Sequence, residues 1–307
     1  MPFPKLPARA AYLTINNAQK RNALSVSVLL DLRKQLTEYN TPPSESEPLF
    51  LPEFSPNVAR DGPNQFEALH KKYRWLIDSE EWQRRRGSLP KVLVLRSEGP
   101  VFSSGHDLKE LDQQNPNQLG RTFQLCKQVM SFMRRSPIPV VGAIHGLASA
   151  AGAQLALTTD LPIVIASAQF QLPGMSIGLP CTSPSVALSR RLGDAFTYKM
   201  FALAEPVRAD ELPAGAVETV PDEVALENRV SEIVDKLANN FPAQSQAMGK
   251  WAYWTQAAIQ GGRMGVVDNH DIAAQWAAKM MSAHAVTEDA KEGRRAFLEK
   301  RAPTWDT

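Results

Sequence analysis

Three short apolar runs rich in β-branched residues constrain the fold of this chain more than any other feature of its sequence. They lie at 92–95, 139–144 and 163–165. The first two continue through small residues, at 103–105 and 148–152, into segments of helical composition. Parallel strands joined by crossover helices produce this order, because such strands are buried on both faces and the return path needs a helix. The sequence therefore predicts the α/β class.

Apolar periodicity extends this interpretation to the rest of the chain. It predicts a strand at 11–15, a helix at 25–38, and from residue 221 onward only helices, near 222–239, 243–260, 266–283 and 287–300. We expect a core at 9–220 and a C-terminal helical region at 221–307.

An insertion interrupts the predicted core at about 40–88. Residues 41–63 are rich in Pro, Ser and acidic residues and predict an exposed loop. Helical spacing returns over 66–77, and the basic run 84–86 is typical of a solvated helix end.

Composition and charge exclude several classes of partner. The chain has 34 Lys and Arg against 32 Asp and Glu, a formal charge of +2, which is too balanced for an electrostatic grip on nucleic acid or an anionic membrane. No apolar run approaches the roughly 18 residues of a membrane span. The two cysteines, Cys126 and Cys181, form no disulfide framework and favour a reducing compartment. A small acidic ligand remains compatible with this charge.

Known cofactor and metal motifs are absent from the sequence. Neither a dinucleotide fingerprint nor a phosphate loop occurs, and no two histidines lie within four positions of each other. We therefore predict no metal and no resident cofactor. The segment 146–152 resembles a nucleophile elbow only loosely, since the Gly-x-Ser-x-Gly spacing fails, so a serine hydrolase is a remote alternative.

Two strand-to-helix turns are more informative. They lie at 102–107 and 146–152, and both consist largely of small residues that let a ligand approach the backbone. Two such turns on neighbouring parallel strands would bring two amide N–H donors close to one point, as an enolate or a tetrahedral oxyanion formed from a thioester requires. The alternative, that the glycines serve only tight packing, stays open on spacing alone.

Four ordered motifs carry a resemblance to a known family. They are Arg-Asn-Ala-Leu-Ser at 21–25, Phe-Ser-Ser-Gly-His-Asp-Leu-Lys-Glu-Leu at 102–111, Pro-Ile-Pro-Val-Val-Gly-Ala-Ile-His-Gly at 137–146, and the C-terminal run 292–303. Together they resemble the enoyl-CoA hydratase/isomerase (crotonase) superfamily over nearly the whole chain except the insertion. Within it, the runs 99–111 and 178–184 are most similar to the enoyl-CoA hydratase domain-containing protein 3 branch.

The resemblance implies both an architecture and a role. The architecture is a crotonase/ClpP-like spiral of ββα repeats followed by C-terminal helices that assemble a homotrimer or homohexamer. The role is that of a lyase of fatty acyl-CoA metabolism, with acyl-CoA or enoyl-CoA as the ligand. The related branch is mitochondrial, although no presequence is visible before the first strand; the cytoplasm is the alternative.

The resemblance also assigns site residues. The oxyanion-hole amides fall on His106 and Ala151, where the peptide N–H matters and the His106 ring is expected to be incidental. The CoA contacts fall on His106, Asp107, Leu108, Lys109, Ala151 and Lys300.

The departures from the family pattern concern the acid and base residues. The two catalytic glutamates of the hydratases fall on Gln154 and Gly174, and the further carboxylate of dienoyl-CoA isomerases falls on Thr182. Gln154 can hold a water but carries no titratable proton, and Gly174 has no side chain. The substitutes considered are Ser176, Cys181, Thr182, Ser183 and His145, of which none is compelling; we expect His145 to be a structural hydrogen-bonder and Cys181 to be buried and unreactive.

Two functions therefore remain. One is an enzyme, hydro-lyase-like or thioesterase-like, that uses a water held by Gln154 and hydrates ordinary enoyl-CoA weakly. The other is a non-catalytic acyl-CoA-binding or regulatory pseudoenzyme on the same scaffold.

Overall fold

A five-stranded, all-parallel sheet lies at the centre of the protein. The computed structural model describes residues 3–54, 73–261 and 288–303, together with residues 278, 282 and 285. The strands of this sheet, in their spatial order, are β1 (Ala10–Ile15), β2 (Val92–Ser97), β3 (Val140–Ile144), β5 (Leu161–Ile165) and β8 (Glu218–Val220). The α/β prediction is confirmed, and so are the predicted strands at 11–15, 92–95, 139–144 and 163–165.

A second, smaller sheet contains three short strands, β4 (Leu147–Ser149), β6 (Gln169–Gln171) and β7 (Val207–Arg208). β4 is parallel to β6, and β6 is antiparallel to β7. β3 therefore continues into β4 in the second sheet before the next helix begins, which gives the ββα order of the predicted spiral.

The helices predicted at 25–38, 222–239, 243–260 and 287–300 are present within the described residues, and the structure adds others. They are α1 (Val26–Asn40), α2 (Arg74–Ile77), α3 (Ser79–Arg86), α4 (Leu108–Asp112), α5 (Pro116–Arg135), α6 (Ala151–Thr158), α7 (Thr182–Leu192), α8 (Asp194–Leu203), α9 (Glu223–Asp235), α10 (Ala243–Gly261) and α11 (Glu288–Glu299). A π-helical turn, Lys236–Asn240, extends α9. The predicted helix at 266–283 lies outside the described residues, apart from 278 and 282.

The main core is continuous from the sheet into the C-terminal region. Every residue of β2 is buried, as a strand covered on both faces requires. The same apolar cluster includes Leu226, Val230 and Val234 of α9. The division of the chain at 220/221 stays a prediction.

The described part of the loop predicted at 41–63 has no helix or strand, as expected, but it is not exposed throughout, because residues 51, 52 and 54 are buried. Leu51 and Phe54 are 0% and 1% exposed. They belong to what we call the insertion cluster: Leu51, Phe54, Trp75, Leu76, Trp82, Ala247 and Trp251. The insertion therefore covers one face of α10, because its few apolar side chains bury themselves there. Residues 55–72, which carry most of the predicted helix at 66–77, lie outside the described residues.

The basic run 84–86 also differs from expectation. Arg84 is solvated, but Arg86 is only 2% exposed. Its guanidinium donates to the Leu49 carbonyl (3.3 Å) and lies 5.5 Å from the centre of the Trp82 ring, and burial lowers its pKa to about 9. The third arginine is thus a structural donor that holds the insertion, and not part of a solvated helix end.

Candidate functional site

The first glycine-containing turn follows β2 and is held against β4. Ser103 N–H donates to the Leu147 carbonyl (3.0 Å), and Ser149 N–H donates back to the Ser103 carbonyl (2.9 Å). On its other side, Leu24 N–H donates to the Gly105 carbonyl (2.8 Å). These hydrogen bonds are accepted by the carbonyl groups of neighbouring residues. The His106 N–H takes no part in them.

The second turn carries an unusual backbone conformation at Ala150, with φ +48° and ψ −118°. A non-glycine residue in this region costs on the order of 1–3 kcal/mol. The Ala150 N–H donates to the Gln171 carbonyl (2.9 Å), which secures the turn, and α6 begins at the next residue. Ala151 is therefore the first helical residue, and its N–H has no acceptor within the helix.

The two turns touch each other, and the contact is so close that only glycine fits at two positions. A Cβ on Gly105 would lie 2.9 Å from the Ser149 carbonyl oxygen and 3.5 Å from the Ala151 nitrogen. A Cβ on Gly152 would lie 2.5 Å from the Ser103 carbonyl oxygen. Tight packing and ligand approach are thus one feature here, because the contact that excludes a side chain also brings the amides of the two turns together.

At this contact, the N–H groups of His106 and Ala151 have no hydrogen-bond acceptor within the described part of the chain. Unpaired donors on neighbouring turns can receive one oxygen between them, and they stabilise negative charge as it develops on that oxygen. The arrangement predicted from the two turns is therefore chemically able to polarise a carbonyl group.

The imidazole ring of His106 contacts other parts of the protein. Its Nδ1 lies 3.3 Å from the Leu24 carbonyl oxygen, and the ring meets Phe123 edge-on at 5.2 Å between centroids. Burial lowers the pKa of His106 to about 4, so the ring is neutral at pH 7 and a poor proton acceptor. The expectation that the ring is incidental agrees with this geometry.

A cleft of about 700 Å³ opens in front of the two turns, within the range of roughly 300–1,000 Å³ that is usual for small-molecule sites. Basic side chains on its lining are Lys20, Arg21 and Lys109, and apolar ones are Leu108, Ile177, Phe297 and Leu298. Gln171, Ser104 and Ser149 add neutral polar groups between them. The cleft therefore offers both cationic and apolar surface to an elongated ligand.

Four of the predicted ligand contacts, His106 to Lys109, line this cleft. The Asp107 carboxylate is occupied as the N-cap of α4, since its Oδ1 accepts from the N–H of Lys109 (3.1 Å) and Glu110 (3.2 Å). Asp107 also pairs with Lys20 at 3.5 Å. Lys300 is exposed and follows the lining residue Leu298 by two positions, without lining the cleft itself.

Sequence reasoning missed several lining residues. Lys20 lies in a 3₁₀ turn, Ala18–Lys20, and Phe297 and Leu298 come from α11. Arg21 and Leu298 fall inside motifs that had been recognised only as family markers. Their position in those motifs was the available signal.

Comparison with known proteins identifies the family. A family model described as enoyl-CoA hydratase/isomerase matches residues 84–307. The chain belongs to the enoyl-CoA hydratase/isomerase family.

Individual relatives agree with this assignment over most of the chain. Enoyl-CoA hydratase domain-containing protein 3, mitochondrial, of Homo sapiens is 35% identical over 252 residues, which cover 81% of this chain and 80% of that protein. The Rattus norvegicus protein of the same name is 32% identical over 251 residues, with the same coverage. The crystal structure of the human protein superposes with a TM-score of 0.63 at 28% identity and covers 98% of each chain.

Gln154, which the sequence analysis expects at the position of the first family glutamate, is buried on α6 and does not line the cleft. Its Nε2 lies 3.5 Å from the Ser183 hydroxyl, and its Oε1 is buried without a partner in the described part of the protein. Thr182 Oγ1, at the start of α7, is also buried without a partner there. The polar groups of this region are neutral at every physiological pH.

Gly174, which the sequence analysis expects at the position of the second glutamate, has no space for a side chain. It lies in a 3₁₀ turn, Pro173–Ile177, and its carbonyl accepts from Leu179 N–H (2.9 Å). A Cβ there would lie 2.1 Å from the Leu179 carbonyl oxygen and 2.8 Å from both the nitrogen and the Sγ of Cys181. The backbone of 179–181 thus fills the space next to this position.

The other candidates for acid or base are occupied or inert. Burial raises the pKa of the Cys181 thiol to about 12. The Ser176 hydroxyl donates to the Pro173 carbonyl (2.7 Å), and His145 Nε2 lies 2.6 Å from the Gly99 carbonyl oxygen. Both described histidine rings therefore contact backbone carbonyls and not a serine hydroxyl, so the geometry gives the serine hydrolase alternative no support.

The described residues contain neither a candidate metal site nor a membrane-spanning helix. No group of three His, Cys, Asp or Glu side chains among them could hold a metal ion. Within the same residues, no helix has the length and apolar character needed to cross a membrane.

Proposed function

We propose that the protein binds an acyl-CoA or enoyl-CoA thioester and polarises its carbonyl through the backbone amides of His106 and Ala151. The observation that carries this proposal is the pair of unpaired N–H groups on two turns in direct contact, beside a cleft of suitable size. The family assignment supports the ligand class.

The charge of the cleft supports an orientation for the ligand. The cations Lys20, Arg21 and Lys109 suit the phosphates of CoA, and the apolar side formed by Ile177, Leu298 and neighbouring residues suits the acyl chain. Lys300 reaches the nucleotide end in this arrangement. Asp107 contributes indirectly, since it holds the turn and Lys20 in place.

Hydration of ordinary enoyl-CoA by this site is weak. Each general acid or base contributes typically about 10²–10⁴ in rate, and the usual positions hold Gln154 and Gly174. A hydro-lyase-like reaction would rely on the two amides, because Gln154, the residue expected to hold a water, is buried and does not line the cleft.

A second candidate is a non-catalytic acyl-CoA-binding or regulatory protein on the same scaffold. The specific observation in its favour is the closed space at Gly174, which leaves no room for an acid from that position. Binding would then persist without turnover.

The experiment that tests the proposal measures binding and turnover in parallel. Titration calorimetry with butyryl-CoA should give saturable binding, and crotonyl-CoA hydration should run orders of magnitude below that of a two-glutamate hydratase. If no thioester binds, the proposal that acyl-CoA or enoyl-CoA is the ligand would be refuted. Turnover equal to that of the two-glutamate enzyme would refute the role assigned to Gln154 and Gly174.

Assembly and location follow from the same family assignment. We propose a homotrimer or homohexamer, because Tyr198, Leu203 and Phe297 are more than half exposed in the single chain. We propose a mitochondrial location from the names of the relatives, with the cytoplasm as the alternative.

A further inference from the structure

Arg294 of α11 is a buried cation with unused hydrogen-bond donors. The residue is 3% exposed, and its Nε and Nη1 have no hydrogen-bond partner among the described residues. A guanidinium carries five N–H donors, and buried donors left unpaired are costly. Burial also lowers the pKa of Arg294, whereas the nearby Asp112 carboxylate raises it.

Among the described residues, the Asp112 carboxylate approaches Arg294 without satisfying its hydrogen-bond donors. Its Oδ1 lies 3.7 Å from Arg294 Nε, beyond hydrogen-bond distance, and the Asp112 side chain is 36% exposed. A purely structural ion pair would bring the carboxylate into contact with the fork of the guanidinium. The present geometry leaves that fork available to another acceptor.

The position of Arg294 relates it to the apolar side of the cleft. Arg294 precedes the lining residue Leu298 by four positions on α11, and Asp112 follows the lining residue Leu108 by four positions on α4. Residues four apart share a helix face, about one turn or 5.4 Å along the axis. Arg294 and Asp112 do not line the cleft themselves. Because α4 and α11 pack against each other, we infer that the Arg294–Asp112 contact lies about one helical turn beyond Leu108 and Leu298.

We propose that Arg294 receives a carboxylate at the far end of the acyl chain, so that the preferred ligands are CoA thioesters of dicarboxylic acids. This inference rests on the proposed function, because it assumes that the thioester lies at His106 and Ala151 and that the acyl chain follows the apolar side of the cleft. An ω-carboxylate that passes Leu108 and Leu298 meets Arg294 and pairs with the donors that the protein leaves unused.

The test compares ligands of equal length that differ only at the chain end. Octanoyl-CoA and suberyl-CoA, and likewise the six- and ten-carbon pairs, are titrated into the full-length protein by calorimetry. At one of these lengths the dicarboxylic thioester should bind about tenfold or more tightly, the size of effect expected for a charge-assisted hydrogen bond. Equal affinities at all three lengths would overturn the inference while leaving the proposed function intact.

Variants separate recognition from a structural role. Arg294→Met should abolish the preference for the dicarboxylic ligand and leave octanoyl-CoA affinity unchanged. Arg295→Met removes the same charge from an exposed neighbour and should keep the preference. Equal weakening of both ligands in Arg294→Met would assign Arg294 a structural role only. If no thioester binds the unmodified protein, the proposed function itself fails. If Arg294→Met does not fold, the wild-type comparison of chain ends still decides the question.

Discussion

Substitution of Gly174 by alanine should destabilise the protein, although alanine suits a helical turn better than glycine. The added Cβ would lie 2.1 Å from the Leu179 carbonyl oxygen, more than 1 Å inside the 3.4 Å at which ordinary contact begins. That oxygen belongs to the backbone and cannot rotate away. The 3₁₀ turn Pro173–Ile177 and the chain at 179–181 must therefore separate, and the Leu179 N–H to Gly174 carbonyl bond (2.9 Å) lies across the same gap.

The expected magnitude follows from the cost of overpacking a closed core. We expect the free energy of unfolding to fall by about 1–3 kcal/mol, or more if the hydrogen bond is lost. One kcal/mol corresponds to a Tm shift of about 2–4 °C in domains of 150–250 residues, so a drop of several degrees should appear in calorimetric melting.

A matched control is available at Gly249, an exposed glycine of α10. No atom lies within 4 Å of a Cβ built there, so Gly249→Ala should be neutral or stabilise by up to about 1 kcal/mol through helix propensity. If the Gly174→Ala protein were as stable as the wild type, the backbone of 179–181 could move aside without a measurable cost in free energy. The argument that the second acid position is closed would then be refuted.

The same reasoning predicts that glutamates cannot simply be introduced at positions 154 and 174. Gly174→Glu adds four more heavy atoms beyond the Cβ that already clashes, so the double variant with Gln154→Glu should be less stable than wild type and gain no hydratase activity. Crotonyl-CoA hydration by a folded double variant at hydratase rates would contradict this.

Further predictions concern the amides, two side chains and the assembly. Ala151→Pro removes the N–H donor and should abolish thioester binding or turnover. Ala151→Ser and His106→Ala keep both backbone amides and should retain binding or turnover. Melting curves control for folding, because a proline at position 151 also restricts the backbone of residue 150. Burial lowers the pKa of His106 to about 4 from its ordinary value of about 6.5. The contribution of its neutral ring to stability is therefore fully present above pH 6.5 and falls by up to about 3 kcal/mol towards pH 4. In pH-dependent melting, His106→Ala should lack this part of the loss. Cys126 and Cys181, buried with pKa values raised to about 12, should resist iodoacetamide at pH 8 until urea is added, and rapid labelling of the native protein would refute their burial. Light scattering should give three or six times the chain mass, and a monomer at micromolar concentration would contradict the proposed assembly.

Elements with strong local patterns could be predicted from the sequence. β2 and β3 consist of apolar runs whose burial on both faces requires a parallel sheet, and α1 was predicted at 25–38 and observed at Val26–Asn40 because its apolar spacing is regular. The two turns were also predictable, since small residues at consecutive strand ends leave few alternatives. The three-residue strands β4 and β6 were missed, because such short segments carry no measurable period.

Properties that depend on contacts between distant segments could not be predicted. The closed space at Gly174 depends on the path of Leu179 to Cys181, and the burial of Arg86 depends on Leu49 and Trp82. Arg294 likewise reads as an ordinary charged residue of a helix until its burial is known. In each case the sequence shows the residue type, whereas its environment comes from chain segments far away.

The insertion cluster has a consequence for the synthesis of the protein on the ribosome. The rings of Trp75 and Trp82 stack with 6.1 Å between their centroids. Part of the apolar surface that buries them comes from Ala247 and Trp251 of α10. At about 5–20 residues per second, roughly 10–30 s separate the translation of the two tryptophans from that of α10. During that interval the nascent chain exposes an apolar aromatic surface. We therefore expect the insertion, which is packed in the complete protein, to make the incomplete chain bind chaperones.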